Sequence, residues 1–165
     1  MSLYTFRMFF SISFSLIFLS ACANKQLQGT LKNYTANQQV SHSYCFRYLY
    51  GDHLGSPEYS KAKSWCARSA ASGVAASRVL LAEMYLYGIS MRKDVALAFF
   101  WYDSAAEQGH THAQFILSEL YRRGLGVDKN IEKSTAWLLK SATNGHPEAQ
   151  KIFSENKKKL LIKAK

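Results

Sequence analysis

The stretch Ala113-Gln-Phe-Ile-Leu117-Ser-Glu-Leu-Tyr121-Arg-Arg-Gly124-Leu-Gly126-Val127 carries the pattern that decides the fold. Its apolar side chains recur at intervals of three and four residues, which places them on one face of an α-helix. The members of that face are Ala113, Ile116, Leu117, Leu120 and Tyr121. The two glycines then end the helix, and a second helical stripe containing Trp137 follows. The segment therefore predicts two helices joined by a glycine turn.

The same two-helix pattern returns along the chain with a period of 36 residues. A fixed period in this range is typical of a solenoid, in which each unit buries its apolar face against its neighbours. Because these residues recur by column, we interpret them as structural rather than catalytic. The columns are Trp65, Trp101 and Trp137; Ala70, Ala106 and Ala142; Gly73, Gly109 and Gly145; and Tyr85 with Tyr121.

The repeated unit resembles the Sel1-like repeat, a relative of the tetratricopeptide repeat. The first unit is degenerate, with Cys45 and Leu49 in the leucine and tyrosine columns. The resemblance implies an all-α fold, an α-solenoid of about three helix-turn-helix repeats plus a capping helix. We expect the solenoid to span residues 43–156 and to be followed by a basic C-terminal tail at residues 157–165.

Residues 1–21 are predicted to be a signal peptide of the lipoprotein type. The apolar run within them would reach only ~18 Å as a helix, short of the ~30 Å hydrocarbon layer. Its end, Leu19-Ser20-Ala21-Cys22, resembles a bacterial lipobox, which implies a lipid on Cys22 and a mature N-terminus there. Because Ala23 follows the cysteine, the resemblance implies an outer-membrane lipoprotein facing the periplasm. An ordinary cleavage site at Ala21-Cys22-Ala23, giving a secreted or periplasmic protein, is the alternative.

Residues 22–42 are polar and rich in Gln and Asn, and we interpret them as a tether. Two further cysteines, Cys45 and Cys66, occupy interior columns of one hairpin. Export favours a disulfide between them, and two unpaired core cysteines are the alternative. His110 and His146 share a column just after a helix-stopping glycine, and a turn position explains them better than zinc binding. No metal and no cofactor are expected.

The composition favours one folded domain and excludes a disordered or collagen-like chain, because 48% of the 165 residues are hydrophobic and 19% are charged. The 21 Lys and Arg exceed the 11 Asp and Glu, and the C-terminal tail supplies much of the excess. We interpret that tail as a solvated helix end, with contact to anionic lipid or an acidic partner as the alternative. No nucleic-acid partner is expected of an exported protein.

Solenoids bind through the concave face lined by the first helix of each repeat. The tetratricopeptide resemblance, carried over by column, implies a partner-binding groove. Its mixed aromatic and charged side chains suit a peptide or protein ligand. The predicted groove residues are Arg47, Tyr50, Val79, Glu83, Tyr87, Phe115, Glu119, Arg122, Arg123 and Glu155.

The sequence thus favours a lipid-anchored adaptor that binds another protein and catalyses nothing. A narrower alternative is an immunity lipoprotein that neutralises an antibacterial toxin. The enzyme alternative is a hydrolase acting on cell-wall or β-lactam substrates, suggested by Ser90-Met-Arg-Lys93. This string aligns with a plain inter-helix turn, and neither of the companion motifs of such enzymes accompanies it.

Overall fold

The computed structural model describes residue 28, residues 32–51 and residues 55–163, with side chains as far as Glu155. The predicted signal peptide and Cys22 lie outside the described residues. The chain divides into two compact units, residues 1–39 and 40–165. In the first unit, the described residues are helical. All contacts discussed below belong to the second unit.

The described part of the chain is built from seven helices in the order of the sequence. Each helix from α2 onward packs against the next, so the second unit is an all-α solenoid, as predicted. We call α1, α3, α5 and α7 the A helices and the others the B helices. The helices are α1 (32–50), α2 (Tyr59–Ala71), α3 (Ala75–Tyr87), α4 (Val95–Glu107), α5 (Thr111–Arg123), α6 (Ile131–Thr143) and α7 (Pro147–Lys163).

Two helices cross the segment boundaries that the sequence predicted at the ends of the solenoid. The α1 helix already includes residues 32–42, which were assigned to the tether, and the stretch 32–50 contains no Gly or Pro that would interrupt it. The α7 helix continues to Lys163, so most of the basic tail at 157–165 has a helical backbone. In each case a polar composition is compatible with helix, because Gln, Lys and Glu are good helix formers.

Short polar side chains cap the first turns of the B helices α4 and α6. The side chain of Asp94 begins α4 by accepting a hydrogen bond from the Leu97 N–H at 3.0 Å. Asn130 does the same for α6 through the Lys133 N–H at 2.8 Å. Each cap occupies an N–H that the first turn of the helix leaves without a partner. These caps fix where α4 and α6 start relative to the A helices before them.

The core is made of small and aliphatic side chains rather than of tryptophan. The alanine column is buried, and so are Met84, Leu117 and Tyr102. The three tryptophans are only half-buried at the edge of the core. Cations cover two of their rings, with Arg68 at 4.9 Å from the Trp65 centroid and Lys140 at 4.5 Å from that of Trp137. The tryptophan column therefore lies at the edge of the core, and the alanine column lies at its centre.

A disulfide joins Cys45 of α1 to Cys66 of α2, and both residues are fully buried. The bond closes a loop with a sequence separation of 21 residues, which contributes about 3 kcal/mol in the chain-entropy model. It links the two helices of the first repeat, whose columns match the repeat pattern least well. The disulfide thus stabilises the repeat that has the fewest residues of the standard repeat pattern.

A further set of side chains, spaced by 36 residues and not identified in the sequence analysis, connects α3, α5 and α7 to the B helices before them. Its members donate hydrogen bonds to the carbonyl oxygens of the buried alanine column, each of which also accepts from the backbone N–H of the glycine three residues later. Its signal in the sequence was a spacing of 36 residues in polar positions. The bonds run from Arg78 Nε to Ala70 O (3.2 Å), from Gln114 Nε2 to Ala106 O (3.0 Å) and from Gln150 Nε2 to Ala142 O (3.1 Å).

Candidate partner-binding site

A pocket of about 450 Å³ opens between the A helices α3, α5 and α7. Its walls come from successive repeats because the period of the chain brings equivalent positions side by side. Most of its lining is apolar, with one acidic and one basic side chain at the wall. The lining residues are Leu86, Tyr87, Phe115, Ile116, Glu119, Leu120, Arg123, Leu125 and Ile152.

Four of the ten predicted groove residues line this pocket: Tyr87, Phe115, Glu119 and Arg123. Tyr87 is 71% exposed and forms a projecting aromatic wall. The sequence analysis missed the apolar remainder of the lining. Those leucines and isoleucines resemble the core residues in type and in helical spacing, so their positions in the repeat did not distinguish them from the core.

The charged side of the pocket belongs to an intrahelical cluster in which Glu119 and Arg123 line the pocket and Arg122 lies beside it. Arg122 Nη2 lies 2.6 Å from Glu119 Oε2, and Arg123 Nε lies 3.4 Å from the same oxygen. The hydrogen bond from Arg122, together with the positive charges of both arginines, lowers the pKa of the Glu119 carboxyl despite its partial burial. With two cations and one carboxylate, this end of the pocket has an excess of positive charge.

Two other predicted residues meet each other rather than the pocket. The Tyr50 hydroxyl donates a hydrogen bond to Glu83 Oε2 at 3.1 Å, which links α1 to α3. Burial raises the pKa of the Glu83 carboxyl, against the opposing effect of that hydrogen bond. Burial and the negative charge of Glu83 raise the pKa of Tyr50 to about 12. Burial is the main reason why the pKa of Tyr102 is raised, and the negative charge of Glu83 adds to this effect.

The remaining predicted residues lie elsewhere. Arg47 is exposed on α1 and Glu155 is exposed on α7, and neither lines the pocket. Val79 is a correction to the prediction: it is 5% exposed and belongs to the core cluster with Tyr102. Phe115, one repeat later in the same column, has a ring long enough to reach the pocket. The short valine side chain stays within the core.

A chain of hydrogen bonds through two histidines lies next to Phe115. The Ala149 N–H donates to His146 Nδ1 at 3.4 Å, and His146 Nε2 lies 3.3 Å from His112 Nδ1. Because Nδ1 of His146 accepts, its neutral ring carries the proton on Nε2 and donates it to His112. The His146 ring stacks on Phe115 with centroids 4.6 Å apart. Burial lowers the pKa of both histidines.

The turn that contains Ser90 connects α3 to α4, and Ser90 is exposed with a left-handed φ of 58°. Within the described residues, no group of three or more His, Cys, Asp or Glu side chains is arranged to hold a metal ion. Among the same residues, no helix is both long enough and apolar enough to cross a membrane. The lining residues make the site an apolar pocket with charged margins.

A stack of helix pairs with a side-chain pocket on its A helices defines the class of α-solenoid interaction scaffolds. The chain belongs to the Sel1 repeat family: the family profile matches residues 42–74, 75–110 and 111–146. The three predicted repeats are thereby confirmed. Proteins of this family are generally scaffolds for protein interactions rather than enzymes. The comparison with curated proteins finds no match.

Solved structures of similar fold come from several bacteria. A Sel1 repeat protein from Oxalobacter formigenes is 30% identical, with a TM-score of 0.64 over 76% of this chain and 98% of that one. The protective antigen c5321 of uropathogenic Escherichia coli is 27% identical, with a TM-score of 0.65. That match covers 70% of this chain and 24% of the antigen. Cysteine-rich protein B of Helicobacter pylori shares the fold at 19% identity, with a TM-score of 0.61 over 78% of this chain and 95% of that one.

Proposed function

We propose that the protein is a membrane-anchored lipoprotein of the bacterial envelope, facing the periplasm, which acts as an adaptor by binding another protein in the pocket of its A helices. The observation that carries the proposal is the pocket between α3, α5 and α7, with its apolar floor and its exposed aromatic wall at Tyr87. A ring in such a position supplies large contact area at little cost in side-chain entropy.

The chemistry of the pocket favours a polypeptide ligand. A volume of about 450 Å³ accommodates one or two bulky apolar side chains. The excess of positive charge at Arg122 and Arg123 provides guanidinium donors for a partner carboxylate at the margin. A partner segment with apolar side chains beside an acidic group fits both features.

Site-specific photocrosslinking tests the adaptor role. We would replace Tyr87 by benzoylphenylalanine in living cells and place the same group at Phe100, which is 58% exposed on the B helix α4, as the matched control. We expect one defined crosslinked species from position 87 and none from position 100. Equal crosslinking at both positions, or none at position 87, would contradict the proposal.

The lipid anchor is supported by the apolar run at residues 8–19 followed by Leu19-Ser20-Ala21-Cys22. Two or more acyl chains make membrane attachment stable, whereas one is marginal. Mass spectrometry of the N-terminal peptide should show an acylated Cys22, and Cys22→Ser should move the protein from the membrane fraction to the soluble fraction. Unmodified Cys22 in the membrane-associated protein would exclude this anchor.

A further inference from the structure

The carboxylate column of the A helices has different surroundings in successive repeats. Glu83 and Glu119 are 36 residues apart and occupy the same place on α3 and α5. In the later repeat, Arg122 and Arg123 hold the carboxylate at 2.6 and 3.4 Å. One repeat earlier, the positions of the two arginines are occupied by Leu86 and Tyr87. The earlier carboxylate therefore lacks the intrahelical cations of its counterpart.

Glu83 is half-buried, and among the described residues its carboxylate receives one hydrogen bond, from the Tyr50 hydroxyl at 3.1 Å. In the part of the chain that the structure describes, no Lys or Arg nitrogen lies within 4 Å of this carboxylate. Removing a carboxylate from water is unfavourable unless a cation or several donors replace the water. A single phenol donor replaces only part of that solvation.

Aromatic residues lie in the neighbourhood of this carboxylate. The Phe46 ring lies against that of Tyr50 with centroids 4.8 Å apart. Tyr87 is one helical turn beyond Glu83 on the same face of α3, and its ring is exposed. The faces of aromatic rings attract cations, and a nearby carboxylate adds to that attraction. The group has the composition of a receptor for a positively charged side chain.

We infer that Glu83, Tyr50 and Tyr87 bind a lysine or arginine side chain of the partner protein, which takes the role that Arg122 and Arg123 play in the following repeat. The inference rests on the proposed adaptor function and specifies the chemistry of its partner. Tyr87 also lines the apolar pocket. The occupant is therefore a polypeptide segment that presents a basic side chain at Glu83 in addition to the apolar side chains and the acidic group that fit the pocket and its arginines.

Dipeptide titration of the purified protein tests this inference without the natural partner. The probes are acetyl-Leu-Arg-amide, acetyl-Leu-Lys-amide and the neutral acetyl-Leu-Gln-amide, and their dissociation constants are measured by ¹H–¹⁵N NMR. We expect at least one cationic probe to bind about 5-fold more tightly than the neutral one, as a cation–π contact together with a partly exposed charge pair provides. The two cationic probes distinguish arginine from lysine as the preferred side chain.

Glu83→Gln should abolish the preference for the cationic probes, because glutamine keeps an acceptor for Tyr50 and loses the charge. Glu132→Gln, the same charge change on the exposed first turn of the B helix α6, should leave the preference intact. A preference that survives in Glu83→Gln, or no preference in the wild-type protein, would overturn the inference. The crosslinking at Tyr87 reports separately on the adaptor function, so the two failures can be told apart.

Discussion

The second repeat (residues 75–110) and the third (residues 111–146) have the same backbone and present different chemistry on their A helices. Both A helices have 13 residues and end at a left-handed glycine, Gly88 or Gly124. On this common frame, the third repeat pairs its carboxylate with two arginines, while the second leaves its carboxylate among tyrosines. The difference teaches that the columns facing the core fix the fold, while those facing outward are free to diversify.

The largest expected effect concerns the turn after the A helix. Gly126 has φ 72°, and a Cβ placed there would collide with the carbonyl group of Val95. Gly126→Ala should lower the free energy of unfolding by about 3 kcal/mol, from the clash and the left-handed backbone together. Chemical denaturation with far-ultraviolet circular dichroism measures this change.

Ser90 holds the equivalent place in the second repeat, with φ 58°. Ser90→Gly removes a side chain from a left-handed position and should raise the free energy of unfolding by about 0.5–1 kcal/mol. If Gly126→Ala changed the free energy of unfolding by no more than Ser90→Gly does, the close approach to Val95 would not be the reason for glycine at position 126.

The column of hydrogen bonds to the alanine carbonyls gives the next effect. Gln114 is fully buried, donates to Ala106 O, and accepts a hydrogen bond from Asn144 Nδ2 at 2.9 Å. Gln114→Ala leaves both partners without this contact and should cost about 2 kcal/mol. Gln150→Ala at the exposed position one repeat later should cost about 0.5–1 kcal/mol, because water can replace the lost donor. Equal costs at both positions would show that burial does not set the contribution of this column.

Some parts of the structure could be predicted from the sequence and others could not. The helix order and repeat boundaries followed from the 36-residue columns, because every repeat must bury the same face. Four of the residues that line the pocket were named from the same repeated positions. Val79 was wrongly named with them, because a column fixes the direction of a side chain but not whether its length reaches the surface. Nor could an apolar pocket residue such as Ile152 be distinguished from the core by residue type.

The histidines allow a comparison by pH. His110 caps α5, and His146 caps α7 in the same way. The ring of His146 also forms a hydrogen bond with a second histidine, His112. The second repeat has Ala76 at the position of His112. Burial is the largest cause that lowers the pKa of each of these histidines. The unfolded chain, with histidine near 6.5, then binds more protons than the folded one. The histidines' contribution to stability is therefore complete above about pH 6.5 and is lost as pH falls through the folded pKa values.

Between pH 7.5 and 5.5, we expect the free energy of unfolding to fall, because protonation of the two capping histidines removes the acceptors at the starts of α5 and α7. Thermal melts at the two pH values measure this loss. His146→Asn should reduce the loss, since asparagine keeps an acceptor at the start of α7 at both pH values. His112→Ala, which copies the second repeat, should also reduce it, because it removes one of the titrating rings. An unchanged pH dependence in both variants would show that the histidine pair does not contribute to it.

The smallest effect, and the most specific one, comes from moving the arginine of the third repeat into the second. Leu86→Arg places a guanidinium three residues after Glu83, as Arg122 follows Glu119. The new pair is partly exposed, and its gain is offset by the contacts that half-buried Leu86 makes with the core, so the free energy of unfolding should change by no more than about 0.5 kcal/mol.

The same substitution should remove the preference for cationic dipeptides, because the carboxylate then has a cation of its own. Leu86→Met keeps an apolar pocket wall and should preserve the preference. Retained preference in Leu86→Arg would mean that the partner's cation is held elsewhere. Loss of preference in Leu86→Arg alone would show that one intrahelical arginine decides whether a repeat neutralises its own carboxylate or leaves it for a partner.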